Sequence, residues 1–202
     1  MVVSGPSGSG KTTLCHRFAD EDGVADHAVS ATTREPRDGE VNGEDYFFLS
    51  REEFEQRIGN NEFLEYAEVH GKLYGTLRAE VMNRLVDGHD VLIDIDVQGA
   101  ELVRQHRNEI VHDAMIDIFI LPPSEEKLLE RLRGRGTESA EQLELRLQNA
   151  REEIQHWRKY QHTLISGTKD DDFATFSAIV RGERCRTRLL REVEWFFVKR
   201  LG

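Results

Sequence analysis

The stretch that most constrains this chain lies near its start and reads Gly5, Pro6, Ser7, Gly8, Ser9, Gly10, Lys11, Thr12 and Thr13. It fits G-x-x-x-x-G-K-[ST], a pattern in which glycines let a loop turn its backbone N–H groups toward phosphate oxygens. Lys11 is predicted to reach the terminal phosphates, and the Thr12 hydroxyl to hold Mg²⁺. We name residues 5–13 the phosphate loop and predict that it holds a nucleotide.

A flexible glycine and serine turn is the alternative interpretation, and the flanking residues decide between the two. Val2 and Val3 precede the loop as a short buried strand would. Leu14 and Phe18 are spaced four apart, which predicts a helix whose N-terminus completes the anion site. This order of strand, loop and helix favours a true phosphate site.

Charge and composition narrow the class of protein. The 202 residues predict one domain with elaborations, and the net charge of −11 argues against bulk binding to nucleic acid or membranes. No apolar run approaches the length of a membrane span, and the first residues lack a signal-peptide pattern. Cys15 and Cys185 do not make a disulfide framework. We therefore expect a cytoplasmic protein with reduced thiols, in which Cys15 packs within a helix.

Strand and helix patterns alternate along the chain, which predicts an α/β fold with a parallel sheet flanked by helices. The clearest strand covers residues 91–96, an apolar run that ends in carboxylates. Because ligands of such folds lie at the carboxyl ends of the strands, Asp96 is predicted to hold Mg²⁺ or to contact an acceptor. A helix cap or a salt bridge is the alternative role for Asp96.

Weaker patterns place the other elements. Strands are predicted at residues 27–30, 46–49, 62–69, 116–121 and 163–166. Helices are predicted at about residues 51–59, 76–86, 99–106, 140–160 and 189–197, and a further helix is predicted to begin after Ser124. Residues 71–75 are predicted to form a turn. Capping boxes are predicted for Ser50 with Glu53 and for Ser139 with Gln142.

Two arginine-bearing stretches are candidate phosphate-binding segments in this acidic chain. Residues 31–46 are predicted to form a polar loop, and residues 131–137 are cationic and hinged by glycines. We predict that Arg131, Arg135 and Arg146 belong to a mobile cover that closes over the phosphates and excludes water. A solvated connection for the first stretch and a surface salt-bridge network for the second are the alternatives.

Six stretches together resemble the guanylate kinase family. They are the phosphate loop with Ser4, residues 30–46, residues 61–66 (NEFLEY), residues 74–76 (YGT), residues 94–99 (DIDVQG) and residues 131–137 (RLRGRGT). The resemblance implies a P-loop NTPase-type sheet and Mg²⁺-dependent transfer of the γ-phosphoryl group of ATP to GMP. It also implies a core (residues 1–33, 88–126 and 151–202), a mixed α/β GMP-binding insertion (34–87) and a helical lid (127–150).

The resemblance further assigns roles to individual residues. It implies that the phosphate loop binds ATP and that catalysis uses Lys11, Arg131, Arg135 and Arg146. It implies that GMP is bound by Ser30, Arg34, Arg37, Tyr46, Glu65, Tyr74, Gly75, Thr76 and Asp96. The metal would be held by Thr12 and Asp96. ATP and GMP are the expected partners, without nucleic acid or membrane, and a monomer or weak homo-oligomer is expected.

The chemistry of guanine agrees with this assignment. Guanine offers N1–H and an exocyclic amine as adjacent donors, which the Glu65 carboxylate can accept together, while the Thr76 hydroxyl can donate to O6. Adenine lacks this donor pair and would leave the carboxylate desolvated and poorly paired. If the acceptor is a phosphate, it is already an anionic nucleophile at neutral pH, so no general base is required.

The last quarter of the chain departs from the family, and two other classes of protein stay open. Residues 160–171 lack the family's usual Asn-Asp, so the adenine contacts are left unassigned, and the tail beyond Asp172 looks unlike the family. Residues 96–99 and 168–171 loosely match GTPase elements, which would make the chain a GTPase switch. A scaffold domain that binds phosphorylated peptides is the third class, although such domains typically lose the lysine that Lys11 supplies here.

Overall fold

The computed structural model describes residues 1–69, 71–106, 109–133 and 140–186. The strands are β1 (Val2–Ser4), β2 (Ala25–His27), β3 (Ser30–Thr32), β4 (Phe47–Phe48), β5 (Phe63–Val69), β6 (Lys72–Leu77), β7 (Asp90–Asp94), β8 (Asp117–Leu121) and β9 (His162–Ile165). The helices are α1 (Lys11–Asp22), α2 (Arg51–Gly59), α3 (Arg78–Val86), α4 (Val97–Arg104), α5 (Glu109–Ala114), α6 (Glu125–Arg133), α7 (Ala140–Ile154) and α8 (Lys169–Arg184), with a 3₁₀ turn at Trp157–Lys159.

The larger sheet is parallel, which confirms the predicted fold class. Its five strands run in the order β2-β7-β1-β8-β9. Neighbouring residues of each strand enter different hydrophobic clusters on the two faces. Val2 packs with Ile93 on the α3 and α4 side, and Val3 packs with Leu92 on the α1 and α8 side. Burial on both faces explains why these strands are apolar without alternation.

The smaller sheet has the order β4-β3-β6-β5 and is mixed, with β3–β6 and β5–β6 antiparallel and β3–β4 parallel. Helix α2 packs on it through Phe54, which stacks on Phe63 at a centroid distance of 4.3 Å. The capping box predicted for Ser50 and Glu53 is confirmed, because both reciprocal hydrogen bonds are present. This sheet thus forms around a small aromatic cluster of its own.

Several predicted element boundaries are wrong. The strand expected at residues 27–30 is two strands, β2 and β3, which belong to different sheets. Residues 72–77 form β6 rather than a turn and the start of a helix, and α3 begins only at Arg78. Helix α7 ends at Ile154 rather than near Tyr160, while α5 and α8 were not predicted. The cap at Ser139 and the helix at 189–197 lie outside the described residues.

Burial agrees with the expected role of Cys15, which is fully buried in the cluster beneath α1. Burial raises the pKa of its thiol, so the side chain is packed as an apolar group rather than poised as a nucleophile. Within the described part of the chain, every helix is too short or too polar to cross a membrane.

Candidate active site

The phosphate loop connects β1 to α1 at the carboxyl edge of the larger sheet. All three of its glycines have positive φ values, 148° at Gly5, 85° at Gly8 and 95° at Gly10, a backbone region that residues with side chains rarely adopt. At Gly5 a Cβ atom would also overlap the carbonyl oxygen of Ile120. Lys11 Nζ donates to the carbonyl oxygens of Gly5 (2.5 Å) and Pro6 (3.2 Å). Its charge is therefore held at the loop from which α1 begins.

Asp94, at the end of β7, is the carboxylate that contacts the phosphate loop. The Thr12 hydroxyl donates to Asp94 Oδ2 at 2.5 Å, and His27 Nε2 lies 3.0 Å from Asp94 Oδ1. Burial acts to raise the pKa of Asp94, but His27, Thr12 and the Lys11 charge outweigh it and hold that pKa below its ordinary value. This role of Asp94 was not predicted, although the carboxylates that end β7 are the signal for it.

Asp96 caps α4. Its Oδ1 accepts hydrogen bonds from the backbone N–H groups of Gln98 (3.0 Å) and Gly99 (2.8 Å). The side chain also belongs to the wall of the central cavity described below. The helix-cap interpretation of Asp96 is thus confirmed, and its position at the cavity is compatible with the predicted contact to an acceptor.

The smaller sheet brings together the three residues predicted to bind guanine. Thr76 on β6 lies opposite Ser30 of β3 on one side and opposite Glu65 of β5 on the other. The Thr76 hydroxyl donates to Glu65 Oε1 at 2.7 Å. Glu65 is only 5% exposed, and burial raises its pKa to about 7 despite the Thr76 hydrogen bonds. The site therefore holds a carboxylate at considerable electrostatic cost.

Two tyrosines and an arginine lie near the three residues predicted to bind guanine. The rings of Tyr46 and Tyr74 meet edge to face at 6.2 Å, and the Arg34 guanidinium lies 5.3 Å from the Tyr46 ring centroid. Glu40 accepts two hydrogen bonds from Arg34, at 2.8 and 2.9 Å, and fixes its orientation. Glu40 was not predicted. Arg37 contributes its backbone N–H to Glu40 (2.7 Å), and its side chain is not among those that line the cavity.

One cavity of about 310 Å³ joins the phosphate loop to the smaller sheet. Its walls include Gly5, Ser7, Gly8, Gly10, Lys11, Thr12, Ser30, Tyr46, Glu65, Tyr74, Gly75, Asp94 and Asp96. Glu153 of α7 also reaches this cavity and was not predicted. Burial raises its pKa to about 7, and the nearby Asp96 adds to the effect while Lys11 opposes it. Most of the predicted residues therefore share a single space.

The two described arginines of the predicted cover contact the phosphate loop. Arg146 of α7 donates to the Ser7 hydroxyl at 2.7 Å, and Arg131 of α6 donates to the Ser166 hydroxyl at 3.0 Å and the Ser9 carbonyl at 3.4 Å. Arg131 also borders a second cavity of about 340 Å³, together with Ser9, Thr13, Ser166 and Gly167. Arg135 lies outside the described residues.

The donor set at the phosphate loop suits magnesium. Thr12 and Asp94 offer a hydroxyl and a carboxylate oxygen in contact, and Mg²⁺ prefers oxygen ligands while retaining water and substrate phosphates in its shell. Where side chains are described, no cluster of three or more His, Cys, Asp or Glu residues could hold a metal by itself. The geometry therefore fits an ion that is bound together with a nucleotide.

Comparison with known proteins agrees with this geometry. The family model described as guanylate kinase matches residues 1–181. The guanylate kinase of Clostridium tetani is 41% identical over 95% of this chain and 89% of its own length. That of Novosphingobium aromaticivorans is 43% identical over 92% of this chain and 82% of its own length.

A solved structure extends the agreement to the fold. The crystal structure of guanylate kinase from Anaplasma phagocytophilum has a TM-score of 0.75 and 32% identity, and covers 95% of this chain and 90% of its own. The family model spans far more than half of the chain, and the relatives are matched over most of their length. This chain belongs to the guanylate kinase family, whose members are nucleoside monophosphate kinases.

Proposed function

We propose that this chain transfers the γ-phosphoryl group of ATP to GMP and that Mg²⁺ is required. The observation that carries the proposal is the single cavity in which Lys11 and Thr12 of the phosphate loop face Glu65 of the smaller sheet. With the guanine base held at Glu65, the phosphate of GMP would then meet the γ-phosphate of ATP within this one cavity. Phosphoryl transfer depends mainly on such positioning and on matching charge.

Guanine is bound by the residues that meet across β3, β6 and β5. An ionised Glu65 accepts from N1–H and the exocyclic amine, and Thr76 and Ser30 supply hydroxyls beside it. Because Glu65 is buried, an acceptor base without this donor pair would leave the carboxylate with the Thr76 hydrogen bond but without donors from the base. Adenine, cytosine and uracil are rejected on this account.

The acceptor phosphate lies at the Tyr46 and Tyr74 hydroxyls with the Arg34 guanidinium, which Glu40 holds in place. Arg37 is proposed to join them when GMP binds. On the donor side, Lys11, Arg131, Arg135 and Arg146 stabilise charge on the transferred group. Thr12 and Asp94 would hold Mg²⁺, and Asp96 would lie near both the metal and GMP. When bound, Mg²⁺ supplies positive charge to the phosphate oxygens.

The second cavity is proposed to take the adenine of ATP. It lies along residues 8–10 of the phosphate loop and borders residues 166–167, in the stretch that departs from the family. The division into core, GMP-binding insertion and lid is proposed with the boundaries given above. A cytoplasmic protein that acts as a monomer or weak homo-oligomer is proposed with it.

The first test measures ADP formation from ATP and Mg²⁺ with GMP, AMP, CMP or UMP offered separately. A control without acceptor and a control with GTP alone complete the assay. Turnover confined to GMP supports the proposal. Hydrolysis of GTP alone would favour the GTPase switch, and a folded protein that turns over no nucleotide would favour the phosphopeptide-binding domain; either result overturns it.

A further inference from the structure

Gly99 is a glycine in a place where the backbone does not require one. It is the third residue of α4 and is buried, and its φ is not among the positive values found at the turns of the chain. In ordinary helical backbone alanine is favoured over glycine, because glycine loses more conformational freedom on folding. The reason for glycine at this position must therefore be space.

The Glu65 carboxylate occupies the space that a side chain at position 99 would need. A Cβ atom at Gly99 would lie 2.7 Å from Glu65 Oε2 and 3.3 Å from Glu65 Cδ, with Ile95 Cβ also at 3.3 Å. Real Cβ atoms essentially never approach another heavy atom within 3.0 Å. One carboxylate oxygen therefore rests directly on the helix backbone at Gly99.

The Glu65 side chain is held on both sides and cannot easily move away from a new side chain at position 99. Its other oxygen accepts the Thr76 hydroxyl at 2.7 Å, and β5 is fixed by its ladder with β6. On the same turn of α4, the Gly99 N–H is capped by Asp96 at 2.8 Å, so the helix backbone is also held. A carboxylate pushed away from Gly99 would move toward the cavity, which is its open side.

We propose that Gly99 is a specificity-determining residue of the acceptor site, because its missing side chain lets the Glu65 carboxylate sit where it can accept both donors of guanine. This inference rests on the proposed function and adds a requirement to it. Gly99 contacts no substrate in this account and acts through Glu65, as a positioning residue. Any side chain at this position displaces the carboxylate into the space of the base.

The test compares Gly99→Ala with Gly182→Ala. Gly182 lies in α8 and is exposed, and a Cβ atom at this position would meet no other atom within 4 Å, so it controls for adding a methyl group to a helix. For each protein kcat and KM are measured with GMP and with IMP, whose base lacks the exocyclic amine. In Gly99→Ala we expect KM for GMP to rise about tenfold or more, with a smaller change in kcat.

The preference for GMP over IMP should also fall in Gly99→Ala, by a smaller factor than the rise in KM for GMP, because IMP loses its N1–H contact but has no exocyclic amine to lose. Gly182→Ala should match the wild type in both measurements. A Gly99→Ala protein that keeps the wild-type KM and the wild-type preference would overturn the inference. In that case Glu65→Ala distinguishes the two levels of the account: if Glu65→Ala still lowers the preference, the proposed guanine site stands and only the role of Gly99 fails.

A second arm covers the case in which Gly99→Ala does not fold. The substitution is then made in the Glu65→Ala background, where no carboxylate meets the new methyl group. We expect the double variant to melt within a few degrees of Glu65→Ala and to show the same ratio of GMP to IMP turnover. If adding Gly99→Ala unfolds that background too, the requirement for glycine comes from another neighbour, such as Ile95, and the inference is wrong.

Discussion

The two sheets of this enzyme differ in which side chains they bury. The larger sheet is covered on both faces by apolar side chains, with Leu92, Ile118 and Phe119 completely inaccessible to solvent. The smaller sheet packs on a compact apolar cluster around Phe54 and buries Thr32, Glu65 and Thr76. The first sheet provides a rigid edge for the phosphate loop, and the second presents a buried carboxylate to the cavity. On the proposed function, the larger sheet therefore supports the phosphate loop and the smaller sheet supports base selection.

The largest effect is expected on turnover, from a substitution in the phosphate loop that should leave GMP binding by the smaller sheet nearly unchanged. Lys11→Ala removes the central cation of the phosphate loop, and we expect kcat to fall at least about 100-fold. The Kd for GMP, measured by calorimetry without ATP, should change less than about threefold, because the guanine residues lie on the other sheet. Turnover above a tenth of the wild-type value would contradict the assignment of the loop.

The next effect decides which carboxylate serves the metal. Asp94→Asn removes the charge that contacts Thr12, and we expect the Mg²⁺ concentration for half-maximal rate to rise about tenfold or more. The matched variant Asp96→Asn should move this concentration less and should raise KM for GMP more. If the two variants behave in the opposite way, the ion is held by Asp96, as the sequence alone predicted, and not by Asp94.

Because burial of Glu65 disfavours its ionised form, we expect the stability of the protein to depend on pH. The pKa of Glu65 rises from 4.5 to about 7 in the folded state, so the folded protein binds more protons than the unfolded chain between these values. The free energy of unfolding therefore falls as pH rises through this window. By pH 8 the ionisation of Glu65 should have lowered it by up to about 3 kcal/mol relative to low pH. Glu65→Gln should stabilise the unliganded protein at pH 8 and much less at pH 5.

The measurement is the free energy of unfolding by urea at the two pH values. Glu153 has a raised pKa of similar size and affects both proteins equally, so the difference between wild type and Glu65→Gln isolates Glu65. A variant that is less stable than the wild type at pH 8 would show that the carboxylate supports the fold rather than the site.

The smallest effect tests whether the smaller sheet is locally stabilised. Ser50→Ala removes the N-cap of α2 and should cost about 1 kcal/mol in the free energy of unfolding. Because Ser50 is not among the residues that line the cavity, kcat and KM for GMP should stay within about twofold of wild type. A large change in KM would mean that α2 and the guanine site move together.

Sequence patterns predicted the elements whose residues act locally. The phosphate loop, β7 and the Ser50 capping box follow from spacing and side-chain chemistry over a few residues. The paired roles of Glu65 and Thr76 came from a family resemblance, and the ladder that makes them neighbours joins residues 11 apart.

The errors share a physical cause, which is contact between distant residues. Gly75 looked like part of a turn, but it lies in β6, where a Cβ atom would meet the Glu65 carbonyl oxygen at 2.8 Å. Helix α8 was missed although Thr168 caps it and three aspartates in its first turn favour a helix start; the burial of its Phe176 comes from packing under the distant α1. The contact of Asp94 with Thr12 joins residues 82 apart, and no local pattern shows which of two nearby carboxylates makes it.

The most direct test of the central claim, that Glu65 selects guanine, is the Kd for GMP of wild type and Glu65→Gln at pH 8 and pH 6. At pH 8 the ionised carboxylate should give the wild type at least about tenfold tighter binding. Near pH 6 most Glu65 is protonated, given its pKa of about 7, so this advantage should shrink about tenfold. The phosphate of GMP titrates equally with both proteins and cancels. A Glu65→Gln protein that binds GMP as tightly as wild type at pH 8 would contradict the account.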